Sequence, residues 1–332
     1  MEIKSEWDIL AKIKSAIDTR GVRKPPRLIM GIGDDCAVFE VNGDRYGLIT
    51  TDISIEDRHF RRALSSPQDI GFKAMMSNIS DIASMGGAAQ YAFISIGIPQ
   101  SCAEEYVLAL YDGMIDAANM AGVALAGGDI SKSAHLVLNI ALYGEARKRH
   151  LTTRSGAKPG DIIYLTGALG DSRAGLEILL SGETSAADRY PALMEKHNRP
   201  VARFGIVTEI IQMFNPTSMI DVSDGVLSEL WHICEESKCG FRLIEDKIPL
   251  SADLRRYAAE KNRGPLDYAL HSGEEYELLF TSPKDITRTM SVNINKIPVT
   301  VIGSITEKGF VTVRNSREAE APISGFDHFK EQ

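Results

Sequence analysis

The stretch "DIIYLTGALGDSRAGLEILL" (161–180) decides the fold class. An apolar run rich in β-branched residues meets a glycine-rich turn, and an apolar pattern of helical period follows. That order of signals is a strand, a tight turn and a helix, the unit of α/β proteins. The same reading extends outward. "SMIDVSDGVLSELWHICEESK" (218–238) is strand then helix, and "YELLFTS" (276–282) and "VTVIGSI" (299–305) are further strands. Upstream, "RYGLITTD" (45–52), "QYAFISIGIP" (90–99) and "AHLVLNIALYGEA" (134–146) read as strands. "DIGFKAMMSNISDIASM" (69–85) is a helix stopped by Gly86–Gly87, and "AEEYVLALYDGMIDAANMAG" (103–122) is a second helix leading into "VALAGGD" (123–129). Both halves are mixed α/β. The basic, polar stretch "RKRHLTTRSGAKPGD" (147–161) interrupts the pattern, and a chain of 332 residues exceeds the size of most single cores. Two domains, 1–149 and 150–332, are expected.

Composition narrows the function classes. Hydrophobic residues at 44% and charged residues at 25% are ordinary for a globular chain, and the formal net charge of −8 disfavours a general nucleic-acid binder. No apolar stretch approaches the roughly 20 residues that span a bilayer, and the amphipathic, charged start lacks the apolar core of a signal peptide. The expectation is a cytoplasmic protein without membrane or nucleic-acid partners. Four scattered cysteines (Cys36, Cys102, Cys234, Cys239) form no C-x-x-C pair, so neither a disulfide framework nor a zinc site is indicated.

One arrangement recurs. Aspartate ends an apolar or small-residue run in "LIMGIGDD" (28–35), "LITTD" (48–52), "MMSNISD" (75–81), "VALAGGD" (123–129) and "SMIDVSD" (218–224). Asp34, Asp35, Asp52, Asp81, Asp129, Asp221 and Asp224 are hard oxygen donors suited to Mg²⁺. Were several to converge, their repulsion would be severe unless cations lay between them. Magnesium takes only one or two carboxylates and fills its shell with water and phosphate, so a set this large implies several ions. The plainer reading of each position is turn or helix-cap chemistry, and strand ends where loops meet are where α/β proteins place ligands. In the helix at 69–85, Phe72, Met75, Met76, Ile79 and Ile82 form one stripe. Lys73, Ser77, Ser80, Asp81 and Ser84 lie opposite, which points Asp81 toward solvent or a cleft.

Other motifs exclude alternatives. There is no G-x-x-x-x-G-K-[ST] loop, no kinase H-R-D motif and no H-E-x-x-H helix, and no serine, cysteine or lysine nucleophile has an obvious base partner. "TGALGDSRAG" (166–175) would offer amides to an anion, though turn geometry accounts for its glycines equally. In "GGDISKS" (127–133), Gly127 and Gly128 permit close backbone approach beside Asp129. His59 reads as an ordinary surface histidine, and "HSGEEYELLF" (271–280) as a charged turn before a strand.

Nine strings occur in order: "GIGDDCAVF", "TTDISIEDRHF", "FKAMMSNISDIASMGG", "GGDISKS", "LTTRSGAKPGD", "GALGDSRAGL", "DVSDGVLSEL", "SGEEYELLF" and "GFDHF". Together, from about residue 28 to the C-terminus, they resemble the thiamine-monophosphate kinase family of the AIR-synthetase-like (PurM-like) ATP-binding superfamily. The resemblance implies ATP-dependent phosphorylation of thiamine monophosphate to thiamine diphosphate, several Mg²⁺ ions per site, and direct transfer without a covalent nucleophile or general base. It also implies an α+β N-terminal domain whose sheet pairs with a twin in a homodimer, and an α/β/α C-terminal domain. By motif, Asp35, Thr50, Thr51, Asp52, Asp81, Asp129, Asp221 and Asp224 would be metal ligands. Tyr111, Gly128, Arg154 and Ser223 would touch ATP, and His59, Glu274 and Phe326 would face the thiamine phosphate. The family pattern G-G-E-D-Y departs here to Ser272–Gly273–Glu274–Glu275–Tyr276, and Phe326 stands where tryptophan or tyrosine also occurs. The alternatives are another synthetase of the superfamily, such as aminoimidazole-ribonucleotide synthetase, or a non-catalytic nucleotide or thiamine-phosphate sensor.

Overall fold

A computed structural model describes residues 5–21, 24–286 and 292–322. A leading helix, α1 (Glu6–Thr19), precedes a six-stranded sheet. Its strands are β1 (Leu28–Met30), β2 (Ala37–Asn42), β3 (Arg45–Ile55), β4 (Ala88–Ile98), β5 (Ala124–Lys132) and β6 (Val137–Arg147), in the order β1-β2-β3-β6-β4-β5. Only the β4–β5 pair is parallel. Two helices, α2 (Pro67–Ser84) and α3 (Glu104–Ala121), cover one face of it. Helix α2 starts cleanly: the Ser66 side chain accepts a hydrogen bond from Asp69 N, and Pro67 fills a first-turn position where no N–H is needed.

The expected apolar stripe of α2 holds: Phe72 is 2% exposed, and Met75, Met76, Ile79 and Ile82 are fully buried. Helices α2 and α3 cross very closely. A Cβ on Gly113 would stand 1.8 Å from Gln68 O, and one on Gly71 2.0 Å from Leu110 O, so only glycine fits at either position. Period-2 alternation leaves the other face of the sheet open. Ile49, Ile53, Tyr91 and Phe93 are 43–49% exposed there, while their neighbours Leu48, Ala92 and Ile94 are buried under the helices.

The second half holds β7 (Ile162–Thr166), α4 (Asp171–Ser181), α5 (Thr184–Arg189), α6 (Pro191–Asn198), α7 (Val207–Phe214), β8 (Ser218–Asp221), α8 (Val226–Ser237), β9 (Gly240–Ile244), α9 (Ala252–Glu260), α10 (Pro265–Ala269), β10 (Leu278–Ser282), β11 (Val292–Ile294), β12 (Ile297–Thr306), β13 (Phe310–Arg314) and β14 (Arg317–Glu320). Its main sheet runs β14-β13-β9-β12-β7-β10-β8, with β11 beside β12. Successive strand residues reach opposite layers. Ile163, Leu165, Ile220 and Leu279 pack with Leu230 and Ile233 of α8, whereas Tyr164, Met219, Leu278 and Phe280 pack with Ile210 and Phe214 of α7. Helices on both faces make an α/β/α layer sandwich, and strands buried on both faces explain the near-continuous apolar runs in their sequence.

The halves share core. Tyr276 and Ala202 of the second half are buried among the α2 and α3 side chains, and Ala83 of α2 joins the cluster under α7. This contact turns the polar stripe of α2 inward. Ser80 and Ser84 of that stripe are completely buried, as is Asn78 beside it, while Asp81 stays half-buried where the two halves meet, within the solvent or cleft expected of it. Ser80 meets Asp221 of the second half, and Ser84 meets Asp35 of the first.

Candidate active site at the seam between the sheets

Helix α2 organises the carboxylates. Ser80 Oγ donates to Asp221 Oδ2 at 2.5 Å, and Ser84 Oγ donates to Asp35 Oδ2 at 2.5 Å. Residues four apart on a helix lie about 5–6 Å from each other. Two aspartates nearly two hundred residues apart in sequence are therefore held within about one helical turn of each other. Asp81 lies between these serines and accepts from Thr50 Oγ1 at 2.5 Å. Asp52, two residues along β3, is fixed through its backbone N–H to Asn78 Oδ1 at 3.2 Å.

Four carboxylates from the β1–β2 turn, β3, α2 and β8 thus line one seam along α2. The electrostatics follow. Burial first, then Asp52, Asp221 and Asp35, push the Asp81 carboxyl well above its ordinary value. Burial and Asp35 push Asp221 up as well, against the Ser80 hydrogen bond. The cluster calls for cations.

Arg154 supplies one. Its Nε donates to Asp35 Oδ1 at 3.0 Å and a second guanidinium N–H reaches the same oxygen, while its backbone N–H donates to Asp34 Oδ2 at 3.0 Å. Asp34 Oδ1 accepts from Asp35 N at 2.9 Å. Asp34 therefore ties the "GIGDDC" turn to the segment joining the two sheets and presents Asp35 to the cluster.

The expected ligands divide by geometry. Strand alternation turns Thr51 away from Asp52 and Thr50. The register Ile53↔Asn139, Ser95↔Asn139 and Ser95↔Asp129 places Asp129, exposed, on the open face with Ile53. Thr51 and Asp129 thus sit across the sheet from the inner cluster. Only Asp221 ends a strand. Asp52 and Asp129 lie inside β3 and β5, and Asp81 is helical, which departs from the strand-end pattern. Gly128 is compelled, since a Cβ there would stand 1.8 Å from Ile94 O. Tyr111 lies on α3, half-buried against the first core.

Ser223 and Asp224 form the turn before α8, where Glu229 accepts from Asp224 N at 2.9 Å and Ser223 N at 3.3 Å. Glu229, 2% exposed, escaped the sequence reading; a glutamate in the first turn of the helix after "DVSDG" was its signal.

A second cluster adjoins the first. Glu274 holds φ of 55° and Tyr276 φ of 49°, conformations unusual for side-chain-bearing residues and frequent at functional sites. Lys73 of α2 donates to Glu274 Oε2 at 2.8 Å, and His197 Nε2 stands 3.3 Å from Lys73 Nζ. The Glu274 carboxyl lies below its ordinary value: burial opposes this, and Lys73, His197 and His59 outweigh it. His59 is itself half-buried, its Nδ1 accepting from Ile55 N at 3.0 Å. Phe326 lies outside the described residues.

The departure at Glu275 has a structural reason. Its fully buried carboxylate accepts from Gly170 N at 2.6 Å, Ser172 N at 3.3 Å and Ser272 Oγ at 2.5 Å. It reaches the N-terminus of α4 and takes the amides that "TGALGDSRAG" would otherwise offer an external anion. That loop is an internally capped turn. Glu277 is equally buried and is held by Arg203, by Lys196 Nζ at 3.0 Å and by Thr166 Oγ1 at 2.8 Å. The supposed charged turn is therefore an interior polar network.

The inner cluster suits hard cations. Among the described residues no three His, Cys, Asp or Glu side chains converge on one metal position. Its donors are carboxylate and hydroxyl oxygens, a set that fits ions taking one or two carboxylates each and completing their shells with water and phosphate. No helix among the described residues is long and apolar enough to cross a membrane.

Comparison with known proteins agrees with this architecture. The family profile "AIR synthase related protein, N-terminal domain" matches residues 33–146, and "AIR synthase related protein, C-terminal domain" matches 158–314. The thiamine-monophosphate kinase of Aquifex aeolicus (strain VF5) is 37% identical over 254 residues, 76% of this chain and 81% of the relative. That of Bacillus subtilis (strain 168) is 33% identical over 309 residues, 91% of this chain and 94% of the relative. A solved structure described as AaThiL complexed with AMPPCP and TMP superposes with a TM-score of 0.86 at 32% identity, covering 99% of both chains.

Proposed function

The chain belongs to the thiamine-monophosphate kinase family, and from that membership we propose that it transfers the terminal phosphoryl group of ATP to the phosphate of thiamine monophosphate, forming thiamine diphosphate. The observation that carries the reading is the convergence of Asp35, Asp52, Asp81 and Asp221 from both halves of the chain on the polar face of α2.

The acceptor requires no nucleophile–base pair from the protein. A phosphate monoester has a second pKa near ~6 and is largely dianionic at neutral pH, so it attacks without losing a proton to the protein. The obstacle is repulsion between two polyanions. Unit like charges ~4 Å apart at an effective dielectric of 20 repel by about 4 kcal/mol, and phosphates carry more. Mg²⁺ ions, when bound, neutralise that charge and align attacking and leaving oxygens. The residues that would hold them are Asp35, Thr50, Asp52, Asp81 and Asp221 on the inner face, with Asp224 at the α8 turn and Thr51 and Asp129 across the sheet.

Arg154, Ser223, Gly128 and Tyr111 face ATP in this reading. Glu274, His59 and Phe326 face the thiamine phosphate, with Lys73 orienting Glu274. Transfer is direct, in line, from phosphate to phosphate; a radiolabelled protein after mixing with γ-labelled ATP would contradict it. We place the domain boundary at 149/150, and the open apolar face of the first sheet supports pairing with a second copy. Tyr91 and Tyr143 stack on that face at 6.0 Å.

The deciding experiment is a substrate panel of thiamine, thiamine monophosphate, formylglycinamidine ribonucleotide and selenide, each with ATP and Mg²⁺, scored for ADP. ADP released only with thiamine monophosphate is expected. Release with the ribonucleotide alone would transfer the assignment to the synthetase, and binding without turnover would make the protein a sensor.

A further inference from the structure

We propose that Arg154 is an internal counter-ion of the metal cluster, which a divalent cation displaces from Asp35 and which then turns to the nucleotide's phosphates. The inference rests on the reading of Asp35 as a metal ligand. Asp35 is 2% exposed, and both its oxygens are taken, Oδ2 by the Ser84 hydroxyl and Oδ1 by two guanidinium N–H groups. A cation seeking Asp35 Oδ1 meets a positive charge already in place. The two cannot share one oxygen in a site this shielded from water.

The main chain of residue 154 would not need to move. Its N–H is fixed by Asp34 at 3.0 Å, and its carbonyl accepts from Ser237 Oγ at 3.3 Å. Ser237 Oγ also accepts from Gly156 N and Ala157 N, each at 3.1 Å. The side chain is 19% exposed, so it has a path outward, and a guanidinium released from one oxyanion pairs readily with phosphate oxygens. The displacement makes metal and nucleotide binding mutually reinforcing, because each is favoured once the guanidinium has left Asp35.

Mn²⁺ serves as the probe, its free fraction counted by electron paramagnetic resonance with and without a non-hydrolysable ATP analogue. Arg154→Met should bind Mn²⁺ at least tenfold more tightly than wild type without nucleotide, about 1.4 kcal/mol. The analogue should then raise Mn²⁺ affinity less in the variant than in wild type. Arg154→Lys, which keeps the charge but loses the fork, should fall between them and serves if the methionine variant does not fold. Nucleotide-free affinity in both variants equal to or weaker than wild type overturns the proposal. Asp35→Asn separates the premise from the inference: Mn²⁺ binding that survives it unchanged removes the ligand assignment, and the counter-ion role with it.

Discussion

Replacing Lys73 by methionine removes the cation that joins α2 to the Glu274 loop while keeping its aliphatic stem. The ion pair is short, 2.8 Å, with Lys73 13% and Glu274 33% exposed. Coulomb's law at an effective dielectric of 20 gives roughly 6 kcal/mol at that distance. Water reaching the one-third-exposed carboxylate recovers most of it on removal of the lysine, which leaves about 1–2 kcal/mol. If Glu274 faces thiamine monophosphate, that amount appears as a KM for this substrate raised roughly 5- to 30-fold, with the KM for ATP nearly unchanged. A second readout comes from His197. Burial and the Lys73 charge hold its ring down, to about 4, so it is neutral at pH 7. Without Lys73 the ring should take its proton at higher pH, visible in the NMR titration of its C2–H. Wild-type KM for both substrates together with an unmoved His197 would refute the reasoning, because the ion pair would then orient nothing.

Asp52→Asn and Asp81→Asn should each lower turnover by orders of magnitude with the fold intact; circular dichroism in EDTA and a coupled ADP assay check both, and wild-type rates in either would defeat the metal assignment. Removing one charge from the cluster should also leave the metal-free melting temperature unchanged or higher, since burial and neighbouring carboxylates already disfavour the ionised Asp81. Arg203→Met should destabilise the protein by about 2–4 kcal/mol, because it strips a buried carboxylate of one of two cations. Burial alone would raise the Glu277 carboxyl, but Lys196 and Arg203 hold it below its ordinary 4.5. Its stabilisation is therefore present above that value and lost as pH falls through the lowered one. In Arg203→Met the carboxyl moves up and the loss begins at higher pH. Thermal melts across pH 3–8 would show it, and superimposable curves would argue that Lys196 suffices.

The parts of this molecule that could be read in advance are those with a local period. The stripe Phe72–Met75–Met76–Ile79–Ile82 repeats at helical spacing, and β7 and β10 carry apolar runs because both faces are covered. The opposite stripe of α2 was equally visible as polar. Its burial was not, because the groups that meet it, Asp35 and Asp221, lie some 50 residues upstream and 140 downstream. Strand alternation alone separates Thr51 from Asp52, yet a list of motif residues treats them as one set. Glu275 and Glu277 look like a solvated turn by composition. Nothing local shows that the α4 N-terminus, Lys196 and Arg203 will close over them.

The site is placed at the seam because one helix serves two masters. The apolar side of α2 is locked into the first sheet by close contact with α3, and its serines then fix carboxylates that arrive from both halves. Hydroxyl donors can orient those carboxylates but carry no charge to offset their repulsion, and Arg154 addresses one oxygen of one of them. The remaining imbalance is a standing demand for cations, which couples folding to ligand binding. Any ion that occupies the native cluster and not the unfolded chain must raise stability in proportion to the logarithm of its concentration over its dissociation constant. In a purely structural cluster each carboxylate would be paired within the protein, as Glu277 is by Lys196 and Arg203. The contrast between these two sets of buried carboxylates, Glu277 satisfied by lysine and arginine and the α2 cluster left largely to hydroxyls, marks the second as the place where charge from outside is received.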